Sequence, residues 1–177
     1  MNISSSDVII QISGSDSAEF LQGQITNDIK LASSNKMLNS AICNVKGRVL
    51  ANFKILKVDD NFHIFLNKSI AKKFKTHLEK YSVFYKTKIE FINQSSGSIR
   101  IIPESDFRLV CIDEGLVEIN ELISEAFTPH ELNYQNLGLI NFEKGCFTGQ
   151  EVIARMHYRG KLKFGLAKYQ IESKNFL

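Results

Sequence analysis

Residues 144–151 read K-G-C-F-T-G-Q-E, and this stretch sets how the last helix of the 177-residue chain begins. Thr148 and Glu151 have the T-x-x-E spacing of a capping box, in which each side chain bonds a free backbone amide at the helix start. The sequence therefore predicts a helix with Thr148 at its N-cap that ends at Gly160. Arg159, just before that glycine, suits the negative end of the helix dipole.

Cys146 lies two residues before this expected N-cap, where free amides and the helix dipole favour a thiolate. Lys144 and Arg155 add positive charge. Gly145 and Gly149 flank the thiol and let the backbone approach a ligand closely. A cysteine in this setting is a candidate nucleophile, redox thiol or transient metal ligand. The alternative is a small buried side chain beside a tight turn, and the residues alone do not decide between the two.

Gln150 and Glu151 also have two interpretations. In the structural one, Glu151 completes the cap and Gln150 faces solvent. In the functional one, both side chains point toward the same cleft as the thiol. The structural interpretation by itself explains Glu151.

The spacing of apolar residues in the rest of the chain predicts an α+β fold. Strands are predicted at residues 8–12, 38–45, 49–58, 62–66, 83–92, 99–102 and 107–112. Helices are predicted after Asp16, at 67–81 and at 118–127. Residues 46–48 read as a hairpin turn, and a further strand is predicted at 161–171.

Composition narrows the class of protein. Hydrophobic residues make up 44% of the chain, and no stretch approaches the ~20 apolar residues that cross a bilayer. A formal charge of +3 is too small to indicate a nucleic-acid partner. The first residues show neither a secretion signal nor an arginine-rich transit peptide, so we expect a bacterial cytoplasmic protein or a mature organelle chain.

The cysteines and histidines predict no metal site. Three widely spaced cysteines imply no disulfide framework and no C-x-x-C pair, so a permanent iron–sulfur cluster is not expected. One basic region stands out, consisting of Lys68, Lys72, Lys73, Lys75, Lys80, Lys86 and Lys88. We interpret it as a solvated helix face, although its charge would also suit an anionic ligand such as a polyglutamate tail.

Several segments together resemble the YgfZ family of folate-binding proteins, which are related to the glycine-cleavage aminomethyltransferase. The stretch 144–151 is similar to the family motif K-G-C-[FY]-x-G-Q-E. Further similar segments follow the family order: F-L-Q-G-Q-I-T-N-D at 20–28, K-G-R-V-L at 46–50, F-T-P-H-E-L at 127–132, V-I-A-R-M at 152–156 and Y-R-G at 158–160. Spread over most of the chain, these similarities are highly specific.

The resemblance implies an aminomethyltransferase-like folate-binding domain, with two related βαβ-type halves around a central folate pocket. It implies tetrahydrofolate or a derivative as cofactor, and a role in assembling or repairing iron–sulfur proteins, including tRNA-modifying enzymes. The implied partners are iron–sulfur client proteins or assembly factors, without direct nucleic-acid or membrane contact, in the bacterial cytoplasm or the mitochondrial matrix. It makes Cys146 the functional thiol. The other motif residues are Lys144, Gly145, Gly149, Gln150, Glu151 and Arg155.

Folate contacts are expected from Asn27, Arg48 and Asn52, which lie in or beside the similar segments. The alternatives are that Asn27 caps a turn and that Arg48 is an exposed turn residue. Family members are usually longer and carry a C-terminal barrel. We therefore predict a folate-binding domain of two intertwined halves at 1–160 and a barrel remnant at 161–177. The short barrel puts folate affinity in question and leaves a partner or a homo-oligomer open.

Two other functions remain alternatives. The first is a true aminomethyltransferase, because that enzyme shares the fold. In the transferases, paired aspartates occupy the positions of Ala51 and Asn52, and neither residue can accept a proton as a carboxylate does. This favours the accessory function. The second alternative is a binding module with no chemistry at Cys146.

Overall fold

A five-stranded antiparallel sheet carries the larger part of the fold. The computed structural model describes residues 2–96, 99–169 and 171. The strands are β1 (Asn2–Ser4), β2 (Asp7–Ser13), β3 (Leu38–Cys43), β4 (Val49–Val58), β5 (Asn61–Asn67), β6 (Lys88–Ile92) and β7 (Arg100–Ile102). The large sheet has the order β3-β4-β5-β2-β6, and β1 pairs with β7 in a separate parallel sheet.

Within the described residues, four α-helices pack around these sheets. They are α1 (Ser17–Gln24), α2 (Lys68–Ser82), α3 (Glu104–Glu114) and α4 (Gln150–Arg159), and a short 3₁₀ helix spans Ile29–Leu31. α2 begins where Asn67 Oδ1 accepts a hydrogen bond from the Ser69 amide at 3.0 Å. Its apolar stripe of Ile70, Phe74 and Leu78 is fully buried, and each such side chain contributes roughly 1.5–3 kcal/mol.

The two faces of the large sheet have different coverings. α1 and α2 cover one face and share a core with inward residues of β2, β4 and β5. The irregular segment 116–147 packs against residues of β3 and β4 in a second cluster, in which Tyr134 is fully buried. This second cluster places residues 144–149 beside the β3–β4 hairpin.

The predicted α+β class is confirmed, and so are the strands at 8–12, 49–58 and 62–66 and the helix at 67–81. The large sheet packs with α1 and α2 in one group of elements. A smaller group consists of β1, β7 and α3. The division of the chain at residue 160 stays a prediction.

The strand predicted at 107–112 is wrong, because these residues belong to α3. Pro103 stands at its N-cap, and Gly115 ends it in the left-handed conformation with φ 70°. Phe107 and Cys111, four residues apart, are the side chains that α3 buries. A short apolar run has no periodicity that separates a strand from a helix, so the local sequence was ambiguous.

The helix predicted at 118–127 is also wrong, and so is the strand predicted at 161–171, of which residue 170 lies outside the described residues. The Ile119 amide donates to Asn52 Oδ1 at 2.7 Å and the Glu125 amide to Val49 O at 2.7 Å. The amides of Ile119 and Glu125 therefore donate to residues of β4 and not to the carbonyl oxygens four residues earlier, as a helix requires. Residues 161–169 form no strand and are exposed. An alternating pattern becomes a strand only where a partner strand pairs with it.

Candidate functional site

Residues 144–149, which we name the Cys146 loop, form the end of the irregular stretch and lead directly into α4. Lys144 anchors the loop: its Nζ donates to the carbonyl oxygens of Gln22 and Ile25, both at 2.6 Å. The same ammonium lies 4.9 Å from the centroid of the Phe147 ring. Burial lowers the pKa of Lys144 to about 8. Lys144 therefore holds the loop to the end of α1, and its donors are not directed at the thiol.

The far end of the loop is held by Gly149, which has φ 85° and stands at the N-cap of α4. A Cβ added there would lie 2.5 Å from Asn44 O, so the close approach requires glycine. The predicted capping box is wrong. The Thr148 amide donates to Gly23 O at 3.1 Å, and its hydroxyl donates to Gln24 Oε1 at 3.4 Å. Thr148 therefore faces α1 and does not cap α4.

Cys146 is exposed, whereas Cys43 and Cys111 are buried. Burial raises the pKa of the Cys111 thiol to about 11, and raises that of Cys43 still further. The interpretation of Cys146 as a buried apolar side chain is therefore wrong. It lies four residues before the first residue of α4, which is farther from the free amides than predicted.

The remaining motif residues support the loop or face solvent. Gln150 Oε1 accepts a hydrogen bond from the Phe147 amide at 3.3 Å, which closes the loop on itself. Glu151 and Arg155 form an exposed pair at 3.5 Å on the surface of α4. Gly145 is exposed, and a Cβ there would meet nothing within 4 Å.

The hairpin turn at 46–48 packs on the first turn of α4. A Cβ on Gly47 would lie 3.0 Å from Cβ of Val152. From the same turn, the Arg48 guanidinium donates to Ala126 O and lies 3.7 Å from Glu131 Oε2. The similar segments that begin at residues 20, 46, 127 and 144 therefore meet in one connected region around Cys146, although the sequence separates them by up to 124 positions.

A second feature, the Asn52 cleft, lies under α3. Its polar lining comes from Asp7, Asn39, Asn52, Lys54, Asn67 and Glu118, and Phe107 and Cys111 of α3 cover it. Asn52 Nδ2 donates to Val117 O at 3.2 Å while its Oδ1 accepts from Ile119, so both ends of the amide bond backbone. The cleft encloses about 30 Å³, room for one or two water molecules.

Asp7 and Glu118 are acids in this cleft that the sequence did not single out. The Asp7 carboxylate accepts a hydrogen bond from the Ser4 amide at 2.9 Å, which lowers its pKa. Burial outweighs this effect and raises the pKa of Asp7 to about 6. Burial also raises the pKa of Glu118, and the negative charge of Asp7 adds to that rise. Asp7 is the first residue of β2, and Glu118 follows α3 in an irregular segment. No local pattern marks either one.

The structure does not bring the three predicted folate residues into one pocket. Asn27 is buried; its Nδ2 donates to the carbonyl oxygens of Asn39 and Gly138 at 2.8 Å. Arg48 belongs to the Cys146 region and Asn52 to the cleft. The cleft's lining, among the residues that the structure describes, does not include Cys146. A folate pocket beside Cys146 stays a prediction.

With α3 in place, the Asn52 cleft is too small for a pterin, since pockets for small ligands usually measure about 300–1,000 Å³. Over residues 2–96, 99–169 and 171, no group of three or more His, Cys, Asp or Glu side chains is placed to hold a metal ion. In the same part of the chain, no helix has the length and apolar character to span a bilayer.

The chain is similar to bacterial proteins named tRNA-modifying protein YgfZ. The protein of Aliivibrio fischeri (strain MJ11) is 27% identical over 206 residues, covering 86% of this chain and 65% of the relative. That of Enterobacter sp. (strain 638) is 28% identical over 217 residues, covering 88% and 67%. This chain is a homologue of the YgfZ proteins. It spans 65% of the length of the first of these YgfZ relatives.

The chain is also similar to proteins that do not carry the YgfZ name. An uncharacterized protein of Haemophilus influenzae is 26% identical over 199 residues, covering 93% of this chain and 71% of the relative. No family model matches the chain. The crystal structure of glycine cleavage system aminomethyltransferase T from Bartonella henselae superimposes with a TM-score of 0.47 and 18% identity, over 66% of this chain and 32% of that one.

Proposed function

We propose that this chain is a YgfZ-type accessory protein that supports the assembly or repair of iron–sulfur proteins, tRNA-modifying enzymes among them, through the Cys146 thiol. Its partners are iron–sulfur client proteins or assembly factors in the cytoplasm, and its ligand is tetrahydrofolate or a derivative. One observation carries the proposal: Cys146 is exposed on a loop whose two ends are fixed, by Lys144 at one and Gly149 at the other.

An exposed thiol on a fixed backbone suits a transient reaction. A thiolate is a soft ligand for iron and a nucleophile toward disulfides. Cys43 and Cys111 are buried, so a metal bound at Cys146 would need further ligands from another protein. A single exposed thiol suits a protein that provides one thiolate ligand to a partner's cluster. A site that holds a cluster permanently would need several cysteines close together.

The transferase alternative has less support from the same residues. Ala51 is fully buried, and Asn52 uses both ends of its amide on the backbone of Val117 and Ile119. These positions therefore offer no free acid–base group to a bound folate. Tetrahydrofolate-dependent release of ammonia from an aminomethylated carrier protein, at enzyme-like rates, would favour the transferase.

Complementation of a YgfZ-deficient bacterium tests the thiol. We expect Cys146→Ala to abolish rescue while its melting temperature stays within about 2 °C of the parent, because exposed substitutions usually change stability by less than ~0.5 kcal/mol. Cys111→Ala is the matched control and should retain rescue despite some loss of stability. Full rescue by Cys146→Ala would contradict the proposal.

Calorimetric titration of the full chain with tetrahydrofolate under reducing conditions tests the ligand separately. Binding at micromolar concentration supports the folate part. Absence of heat, together with unchanged melting at millimolar folate, would contradict the folate part and leave the thiol function to be judged by complementation.

A further inference from the structure

Side chains of α3 fill part of the Asn52 cleft. Phe107 is 4% exposed and Cys111 is 6% exposed, and both line the cleft. Lys54 Nζ lies 4.9 Å from the centroid of the Phe107 ring, so the ring covers the cation at the cleft wall. The polar groups of the cleft, including Asp7 and Glu118, lie beneath this cover. The room that a planar ligand would need is therefore occupied by α3 itself.

The packing of α3 is slight. Phe107 and Cys111 belong to a small cluster with Ile102, separate from the core that α1 and α2 share with the large sheet. On the opposite side of α3, Leu109 is 62% exposed and Ile112 is 54% exposed. A helix that buries two side chains and exposes two large apolar ones gains little from packing, so it opens locally with a small free-energy change compared with the core.

The residues after α3 are held much more firmly than α3. Val117 O accepts hydrogen bonds from Asn52 and from the hydroxyl of Tyr134, and the Ile119 amide donates to Asn52. Gly115, in the left-handed conformation, separates this fixed segment from the helix. The chain therefore has a fixed segment immediately after the left-handed glycine that caps α3, and rotation of the backbone at Gly115 would move α3 while residues 117–119 stay in place.

We propose that α3 is an autoinhibitory plug, which fills the Asn52 cleft with Phe107 and Cys111 and swings out about Gly115 to admit a planar heterocycle of the pterin class. The identity of the ligand rests on the proposed folate function; the plug rests on the packing of α3. The apparent dissociation constant is the intrinsic one divided by the open fraction. If α3 is open about 1% of the time, apparent affinity is about 100-fold weaker than intrinsic affinity.

Alkylation of two cysteines measures the opening without any ligand. In the Cys146→Ser background, peptide mapping follows iodoacetamide labelling of Cys111 under α3 and Cys43 in the large sheet. We expect Cys111 to react at least about 100-fold faster than Cys43 under native conditions. Phe107→Ala should raise the labelling rate of Cys111 about tenfold or more and leave that of Cys43 unchanged. Leu109→Ala, on the exposed side of α3, should change neither labelling rate by more than about twofold.

Addition of 5-formyltetrahydrofolate then tests the ligand. We expect it to speed Cys111 labelling, and to bind Phe107→Ala at least about tenfold more tightly than the parent. Equal labelling rates for Cys111 and Cys43 would overturn the plug, since α3 would then open only with the whole fold. Slower Cys111 labelling with folate would also overturn it, because α3 would be closing over the ligand. Fast Cys111 labelling that folate leaves unchanged supports the plug and contradicts the folate function.

Discussion

Lys144 gives the sharpest test of the Cys146 loop, because its ammonium is buried against two carbonyl oxygens. The pKa of Lys144 is about 8 in the folded chain and about 10.5 when exposed. The unfolded chain therefore binds more protons between these values, and stability rises with pH across the interval. Each unit of pKa difference corresponds to about 1.4 kcal/mol, so the gain from pH 7 to 9.5 is at most about 2 kcal/mol.

The measurement is urea unfolding of the parent chain and of Lys144→Met at pH 7, 8, 8.5, 9 and 9.5. Met keeps the length of the side chain but removes the titrating group, and the other lysines, tyrosines and cysteines are common to both proteins. We expect the free-energy difference between parent and variant to shift by up to about 2 kcal/mol in favour of the parent as pH rises. Parallel pH dependences would refute the reasoning, because Lys144 would then titrate as an exposed amine.

Two further predictions concern the cleft and the loop. Asp7 has a folded pKa of about 6, above its ordinary value, so its contribution to stability is present below about pH 4 and is lost as pH rises through 6. Asp7→Asn should therefore make the midpoint of urea unfolding depend less on pH between pH 4 and 7. An unchanged pH dependence would contradict the burial of Asp7. Gly149→Ala should lower the free energy of unfolding by about 1–3 kcal/mol, because of its φ of 85° and the close contact with Asn44. Gly145→Ala, with open space around it, is the matched control and should be near neutral in thermal melting.

Several elements were predictable because their signals are local. The α2 helix follows from the spacing of Ile70, Phe74 and Leu78, and Asn67 caps it within two residues. Strand β4 spans Val49–Val58 as predicted, and Gly160 ends α4 as predicted. In these cases the residues that decide the structure are close neighbours in sequence, so a pattern contains the interaction.

Other elements depended on distant partners. The strand predicted at 107–112 and the helix predicted at 118–127 are wrong because no local pattern shows that α3 covers a cleft or that Ile119 bonds Asn52. Asp7 and Glu118 share a site through packing of residues more than 100 positions apart. Pairing of that kind leaves no periodicity in the sequence.

By itself, the sequence determined the α+β class, the amphipathic helix, the central strands and the segments that resemble the YgfZ proteins. Tertiary structure alone decided that Cys146 is exposed, that Lys144 is an anchor for the loop, and that Thr148 faces α1. The physical reason is range. Helix periodicity and turn geometry act over a few residues, whereas burial of a charge and access to a thiol depend on which distant segments pack around them.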